Sequence, residues 1–176
     1  MTSVCVVIPF FQRERGPLNR AVRSVLSQTY DSPITICVID DGSPVNAFDE
    51  IRDIAFPKQI SITVITQSNQ GVARARNTGL DFAEYHDFDH IAFLDSDDEW
   101  NPEHLDNALE LMRAGVEFYF DDYYQPGEAV SVFEKAGFPA PDSVTPYDAA
   151  RKLYLFESDL FDLIIRNYVL GTPTVV

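Results

Sequence analysis

Residues 4–8 of the chain read Val-Cys-Val-Val-Ile, a continuous apolar run rich in β-branched side chains that Pro9 ends. A short run of this kind is typical of a strand that is buried on both faces of a parallel sheet. Apolar residues then recur at helical spacing from Leu18 to Leu26, which predicts a helix after this strand. The start of the chain therefore has the pattern of a strand followed by a crossover helix.

The same alternation continues along the chain. Four further segments rich in apolar and β-branched residues predict strands, over residues 34–39, 60–65, 90–94 and 116–120. Helices are predicted between and after them, over residues 47–54, 71–83 and 101–115. In the last of these, Asn101 suits the N-cap and Pro102 the first helical position. The predicted fold class is α/β, an open, mostly parallel, Rossmann-like sheet with helices on both faces.

The composition limits the class of protein. The chain has 176 residues, with 28 Asp and Glu against 13 Lys and Arg, and a formal net charge of -15. Because binding to a nucleic-acid backbone relies on clustered Lys and Arg, this balance argues against a nucleic-acid partner. Cys5 and Cys37 lie in apolar runs and are predicted to be buried, reduced thiols. Neither a membrane-spanning run nor a signal peptide is recognisable, so we expect a soluble, cytoplasmic protein.

The pattern weakens in the last third of the chain, after Asp121. Residues 145–148 have the composition of a capped helix start, and residues 153–165 predict an amphipathic helix. Residues 171–176 have the composition of a loop that enters a strand, from which we expect the chain to be truncated. We therefore predict one region over residues 1–120 and a second over residues 121–176.

Polar clusters follow four of the predicted strands, at residues 9–12, 40–43, 69–71 and 95–98. The carboxyl ends of parallel strands meet at one edge of a sheet, and ligands bind beyond that edge. Each cluster alone has an ordinary explanation as a turn or a helix start. Two acidic pairs at one edge favour a functional site over that explanation.

The residue types at this edge point to a nucleotide and a metal. Asp95 and Asp97 would repel each other when both are ionised, and Mg²⁺ or Mn²⁺ would remove that repulsion and bind phosphate oxygens. The Phe11 ring is able to stack on a planar base, and Asp41 is able to accept an imide N–H. No glycine-rich phosphate-binding loop follows the first strand, which argues against dinucleotide and P-loop sites.

Five segments resemble, in order, the motif series of glycosyltransferase family 2. They lie at residues 7–12, 24–30, 38–43, 69–79 and 93–98. The resemblance implies a GT-A fold and an enzyme that uses a nucleotide-diphosphate sugar with Mg²⁺ or Mn²⁺ and inverts the anomeric centre. On this basis residues 1–120 are interpreted as the donor-binding domain, and residues 121–176 as the start of the acceptor-side region.

The resemblance also implies roles for individual residues. Asp41 matches the family's uracil-binding aspartate, Asp40 precedes it in the same turn, and Phe11 stands where a base-stacking tyrosine is common. Asp97 matches the metal ligand, and Asp95 is implied to share the metal site or to face the ribose. The other donor-site residues implied by the motifs are Pro9, Ser96, Arg76 and Asn77.

The resemblance departs from the family pattern at two points. Gln12 replaces the family's usual Asn, and the family's catalytic base is expected beyond Val176, which leaves the catalytic residue unassigned. The remaining acidic candidates for the base are Asp121, Asp122, Glu157 and Asp159. The histidines match nothing functional, are expected to be solvated and do not suggest a zinc site; they are His86, His90 and His104.

The leading hypothesis is a transferase that uses a UDP-sugar in bacterial cell-surface polysaccharide synthesis. Its acceptor would be a saccharide or a lipid-linked saccharide, through which the protein would contact the inner face of the plasma membrane. A sugar-nucleotidyltransferase remains an alternative, since Arg13 and Arg15 follow the first strand and would suit a triphosphate. A non-catalytic, acidic nucleotide-binding module is a third possibility.

Overall fold

The computed structural model describes residues 2–139, 143–156 and 159. Its elements are β1 (Val4–Phe10), α1 (Pro17–Leu26), β2 (Ile34–Asp40), α2 (Ala47–Ile51), β3 (Ile60–Thr66), α3 (Val72–Tyr85), β4 (His90–Phe93), α4 (His104–Arg113), α5 (Val132–Ala136), β5 (Val144–Asp148) and β6 (Leu153–Phe156). Within these ranges, no helix has the length and apolar character needed to cross a bilayer.

The main sheet has four parallel strands in the order β3-β2-β1-β4. Val4 of β1 lies opposite Ile34 of β2 on one side and His90 of β4 on the other. The chain therefore builds outward from β1 to β3, then returns to add β4 on the opposite side of β1. This reversal between β1 and β4 is a topological switch point, where open α/β sheets bind ligands.

Helices cover both faces of this sheet, as the apolar runs predict. Side chains alternate along β1, so Val6 and Ile8 pack in one core with Leu18 of α1 and Leu105 of α4. Cys5 and Val7 pack in a second core with small residues of α3 and with Cys37. Both cysteines are free and buried, as expected. The α/β class with a parallel sheet is confirmed.

Helix α3 lies unusually close to the sheet because of Gly79. A Cβ atom added at Gly79 would lie 2.3 Å from Cγ1 of Val7, closer than any tolerable contact. Ala75 and Ala83, one turn away on either side, are also buried against the sheet. Small side chains at these three positions therefore set the distance between α3 and β1.

Two sequence predictions near α4 are wrong. The helix begins at His104 rather than at Pro102, because Asn101 and His104 are joined in a turn by a backbone hydrogen bond of 3.1 Å. The predicted strand over residues 116–120 does not form, and Phe120 makes an isolated bridge. The N–H of Val116 instead bonds to the carbonyl of Leu111 and closes the end of α4.

The predicted helices after residue 144 are also wrong where the structure describes them. Residues 144–148 and 153–156 form an antiparallel hairpin, in which Val144 lies opposite Phe156. Leu153 is buried and its neighbour Tyr154 is exposed, as expected where successive side chains of a strand point to opposite faces. The rest of the predicted helix lies outside the described residues, except for Asp159, and the predicted strand over residues 171–176 lies wholly outside them.

Candidate functional site: a nucleotide-sized cleft

A cleft of about 320 Å³ lies at the carboxyl ends of the parallel strands. Its lining comes from the ends of β1, β2 and β4 and from the start of α3. The cleft thus lies at the switch point between β1 and β4. The described lining residues are Pro9, Phe10, Phe11, Asp41, Asn69, Gly71, Val72, Ala75, Asp95, Ser96 and Asp97.

Asp41 is the most constrained carboxylate of the cleft and is only 3% exposed. Its Oδ1 accepts hydrogen bonds from Nε2 of Gln67 (2.7 Å) and the backbone N–H of Gln70 (2.9 Å), and its Oδ2 accepts one from the N–H of Gly71 (2.8 Å). Burial alone would raise the pKa of Asp41, but these bonds outweigh it and hold the pKa below its ordinary value. Asp41 is therefore ionised at neutral pH.

Asp40 is buried and turns its carboxylate toward its own loop. Its Oδ1 accepts the backbone N–H of Ser43 at 2.8 Å, and its Oδ2 accepts that of Ala47 at 3.4 Å. Sequence analysis grouped Asp40 with the donor-site residues, whereas its described contacts stabilise the turn between β2 and α2. Asp41 alone of this pair lines the described cleft.

Phe11, the aromatic residue expected to stack on a base, has an exposed ring at the cleft. Phe11 follows β1, lines the cleft and is 42% exposed. Phe10, the residue before it, is fully buried in the core, and Pro9 is buried at the cleft wall. An exposed ring beside a buried aspartate can present a face to a planar ligand and a hydrogen-bond acceptor to its edge.

Arg76 and Asp95 form an ion pair that joins α3 to the end of β4. Nη2 of Arg76 lies 2.6 Å from Oδ1 of Asp95, and both side chains are largely buried. Nε of Arg76 is buried and has no hydrogen-bond partner among the described residues. Asn77, grouped with Arg76 in the sequence analysis, is exposed on α3 and lies outside the described lining of the cleft.

Negative charge accumulates where β4 ends. Partial burial and then the charges of Asp97 and Asp95 raise the pKa of Asp98 to about 6. No three His, Cys, Asp or Glu side chains converge as a metal-holding group in the part of the chain that the structure describes. Asp95 and Asp97 nevertheless fit a cation such as Mg²⁺, which is commonly held by one or two carboxylates together with substrate phosphates and water.

His104, expected to be solvated, is instead only 2% exposed. Trp100 stacks on its ring at 4.3 Å, and its Nδ1 lies 2.8 Å from Oδ2 of Asp121. The sequence prediction for His104 was wrong because its position at the first turn of α4 packs it between Trp100 and Tyr119. Asp121 is thus engaged by a buried imidazole.

Two of the candidates for the catalytic base line a different cavity from the nucleotide-sized cleft. Asp121 and Asp122 line a second cavity, of about 870 Å³, which is walled mostly by aromatic and aliphatic side chains. Asp122 accepts the backbone N–H groups of Tyr123 and Phe133. Asp159 is exposed, and Glu157 lies outside the described residues. None of these carboxylates is assigned as the base.

Sequence reasoning missed several residues that shape the cleft. Gln67 fixes Asp41 and also accepts a 2.7 Å hydrogen bond from Thr78 of α3. No pattern in the sequence marks Gln67, because it lies between a strand and a loop of ordinary composition. Gly71 was predicted to start a helix and to lie in the polar cluster at residues 69–71, but its contact with Asp41, to which its N–H donates beside the cleft, was not predicted.

Known proteins resemble this chain in sequence and fold. The succinoglycan biosynthesis protein ExoW of Rhizobium meliloti is 48% identical over 112 residues, which are 64% of this chain and 34% of ExoW. The Escherichia coli protein WfaP, named as a UDP-Glc:alpha-D-GlcNAc-diphosphoundecaprenol beta-1,3-glucosyltransferase, is 36% identical over 125 residues, 70% of this chain and 47% of WfaP. The matched region spans about a third to a half of the length of these relatives.

A crystal structure of residues 1–349 of S. aureus TarS shares the fold. The two chains superpose with a TM-score of 0.62 at 21% identity, over 74% of this chain and 38% of that chain. The expected GT-A-like sheet is confirmed by this similarity. The sequence model of the family described as "Glycosyl transferase family 2" matches residues 5–166, which include every cleft residue described above. The chain therefore belongs to glycosyl transferase family 2.

Proposed function

We propose that this chain binds the donor in a glycosyltransferase that moves a sugar from a UDP-sugar to a saccharide or lipid-linked acceptor, with inversion and with Mg²⁺ or Mn²⁺. The observation that carries the proposal is the chemical difference between the two ends of the cleft. Phe11 and Asp41 lie on the β1 and β2 side, and Asp95 and Asp97 lie on the β4 side. A nucleoside diphosphate has two ends that match, a planar base at one and a charged diphosphate at the other.

The base end would be recognised by stacking and by one directed hydrogen bond. The exposed Phe11 ring would lie against the uracil plane. Each carboxylate oxygen has two lone pairs, and Oδ2 of Asp41 accepts one hydrogen bond whereas Oδ1 accepts two. Oδ2 therefore retains the capacity to accept the N3–H of uracil. Adenine presents an acceptor, N1, at the corresponding place and would be rejected.

The diphosphate end would be bound through Asp97 and Asp95. These carboxylates would hold the divalent cation, which when bound supplies Lewis-acid stabilisation to the departing diphosphate. Arg76 keeps Asp95 fixed through their ion pair and reduces the charge repulsion among the carboxylates at the end of β4. The described residues thus bind and orient the donor at both of its ends.

In the proposed reaction an acceptor hydroxyl oxygen bonds to the anomeric carbon of the donor sugar, and the bond from that carbon to the diphosphate oxygen breaks. UDP leaves with the bonding electron pair. The hydroxyl proton passes to a base within hydrogen-bond reach of the acceptor. Asp121 and Asp122 line the second cavity and are already hydrogen-bonded, so neither is proposed as this base. The proposed contribution of the cleft residues is to bind and orient the donor.

The names of two relatives support the substrate classes. ExoW is named for succinoglycan biosynthesis, and the name of WfaP specifies a UDP-glucose donor and a diphosphoundecaprenol-linked acceptor. A lipid-linked acceptor of that kind would bring the protein to the inner face of the plasma membrane. Bacterial cell-surface polysaccharide synthesis is accordingly the proposed setting.

Calorimetry on the full-length protein tests the proposal. We expect UDP to bind in the presence of Mn²⁺, to bind more weakly without it, and to exceed ADP in affinity by about tenfold or more, as expected when an unpaired buried acceptor costs about 1–3 kcal/mol. A marked preference for UTP would favour the nucleotidyltransferase alternative. Failure of UDP to bind with or without metal would contradict the proposal, and binding without turnover of any UDP-sugar would favour the non-catalytic module.

A further inference from the structure

Gln12 connects three of the loops that meet at the cleft. Its backbone N–H donates to Oγ of Ser43 at 2.9 Å, and its carbonyl accepts from the same hydroxyl at 3.1 Å and from the N–H of Val45 at 3.2 Å. Its side-chain Nε2 donates to Oγ of Ser96 at 3.1 Å. The loop after β1 is therefore hydrogen-bonded to the loop after β2 and, across the switch point, to the loop after β4.

The partner of this amide lies between the two carboxylates of the diphosphate end. Ser96 is 4% exposed, lines the cleft and separates Asp95 from Asp97. The amide nitrogen of Gln12 can only donate, so the Ser96 hydroxyl accepts that bond and its own proton must point elsewhere. No other hydrogen-bond acceptor contacts this hydroxyl in the described part of the chain, and the cleft is the open side.

We propose that Gln12 is a positioning residue for the donor diphosphate, an inference that rests on the proposed function. It holds Ser96, and with it the turn from Asp95 to Asp97, at a fixed place relative to β1. It also directs the Ser96 hydroxyl proton into the cleft, where it donates to an anionic oxygen of the diphosphate. The base and diphosphate ends of the cleft are thereby connected through one side chain.

A double-mutant cycle on the full-length protein tests this inference. Dissociation constants for UDP with Mn²⁺ are measured by calorimetry for the parent, Gln12→Met, Ser96→Ala and the double variant, and those for uridine by ligand-observed NMR. Methionine matches glutamine in length and lacks the amide. Gln59→Met is the matched control, since Gln59 is exposed just before β3, at the opposite edge of the sheet.

We expect each single substitution to weaken UDP binding about threefold to tenfold, the usual range for one hydrogen bond. The double variant should bind UDP no more weakly than Ser96→Ala does. Uridine affinity should stay unchanged in all three variants, whereas a general loosening of the loops would weaken uridine binding as well. Ser96→Ala keeps the test decisive if Gln12→Met folds poorly. Equal UDP affinities across the set, additive losses, or equal losses for uridine would overturn the inference, whereas absence of UDP binding by the parent would overturn the proposed function as well.

Discussion

The backbone N–H of Gly71 donates to Oδ2 of Asp41 over 2.8 Å, which ties the end of β2 to the start of α3. Gly71 is the N-cap of α3 and has no side chain with which to cap it. The Asp41 carboxylate instead binds the N–H of the N-cap residue itself, and its negative charge interacts favourably with the amino end of the helix. Asp41 therefore stabilises the fold in addition to its proposed part in base recognition.

Replacing Asp41 with Asn should lower stability in a pH-dependent way. Loss of charge-assisted hydrogen bonds should lower the free energy of unfolding at pH 7 by about 1.5–3 kcal/mol. Because the folded-state pKa of Asp41 is depressed, its contribution is present above the ordinary pKa of 3.8 and lost as the pH falls below that value. Urea unfolding at pH 7 and about pH 3 should show the difference between parent and variant shrinking in acid.

The exposed Asp97 provides the control for this experiment. Asp97→Asn should leave the free energy of unfolding at pH 7 nearly unchanged, because no hydrogen bond to its side chain is seen in the described structure. If the parent and Asp41→Asn differ equally at both pH values, the hydrogen-bonded carboxylate is not the cause.

The two aspartates after β2 should differ in their effect on base selectivity. Asp41→Asn should reduce the ratio of UDP to ADP affinity about tenfold or more, because the acceptor for uracil N3–H is changed. Asp40→Asn affects only the turn to Ser43 and Ala47, so it should leave that ratio close to the parent value. Competition binding measures both ratios, and an unchanged ratio in Asp41→Asn would refute the uridine assignment while leaving the metal assignment intact.

Metal dependence should be concentrated at Asp97. Asp97→Asn should remove most of the increase in UDP affinity that Mn²⁺ causes, since this carboxylate lines the cleft and would be a direct ligand. Titrations of UDP at several Mn²⁺ concentrations measure this increase. Asp31→Asn is the matched control, as an exposed carboxylate in the loop before β2, at the other edge of the sheet. Equal Mn²⁺ enhancement in parent and Asp97→Asn would show that the cation binds elsewhere.

The close packing of α3 on β1 should make Gly79→Ala destabilising. Overpacking of a buried site costs about 1–3 kcal/mol, whereas alanine gains about 1 kcal/mol over glycine in helix propensity. A net loss is expected because the new methyl group would meet Val7 at 2.3 Å. Urea denaturation measures it, and Asp81→Ala on an exposed position of the same helix should change stability by far less. If Gly79→Ala were more stable than the parent, the prediction would be wrong and Val7 would have to move to accommodate the methyl group.

The parallel core was predictable from sequence because its strands are rich in apolar and β-branched residues, and the central strands β1 and β2 are almost wholly buried. The errors fall where that signal is missing. The N–H of Val116 closes a helix, so its apolar neighbours do not extend into a strand. Residues 153–156 form a strand of only four positions, too few to distinguish a strand period from the helical pattern predicted over residues 153–165.

The position of the candidate site was predictable from the sequence, but the hydrogen bonds and packing around its residues were predictable only in part. Phe11, Asp41, Asp95 and Asp97 all meet at one cleft, because each follows a parallel strand. The contacts of Gln67 and the burial of His104 were not predictable, since both depend on which loops meet in three dimensions. The role of Asp40, whose carboxylate binds its own turn while Asp41 lines the cleft, also depends on side-chain directions that sequence spacing does not specify.

The absence of a side chain at Gly79 carries an evolutionary consequence. Positions 7 and 79 share a single volume between β1 and α3, which Val7 fills completely. A larger residue at 79 would then be accepted only in relatives whose residue at 7 is smaller, so the two positions should covary. Substitution of Val7 with alanine should likewise make Gly79→Ala tolerable, and an alignment of relatives that shows independent variation at the two positions would contradict this coupling.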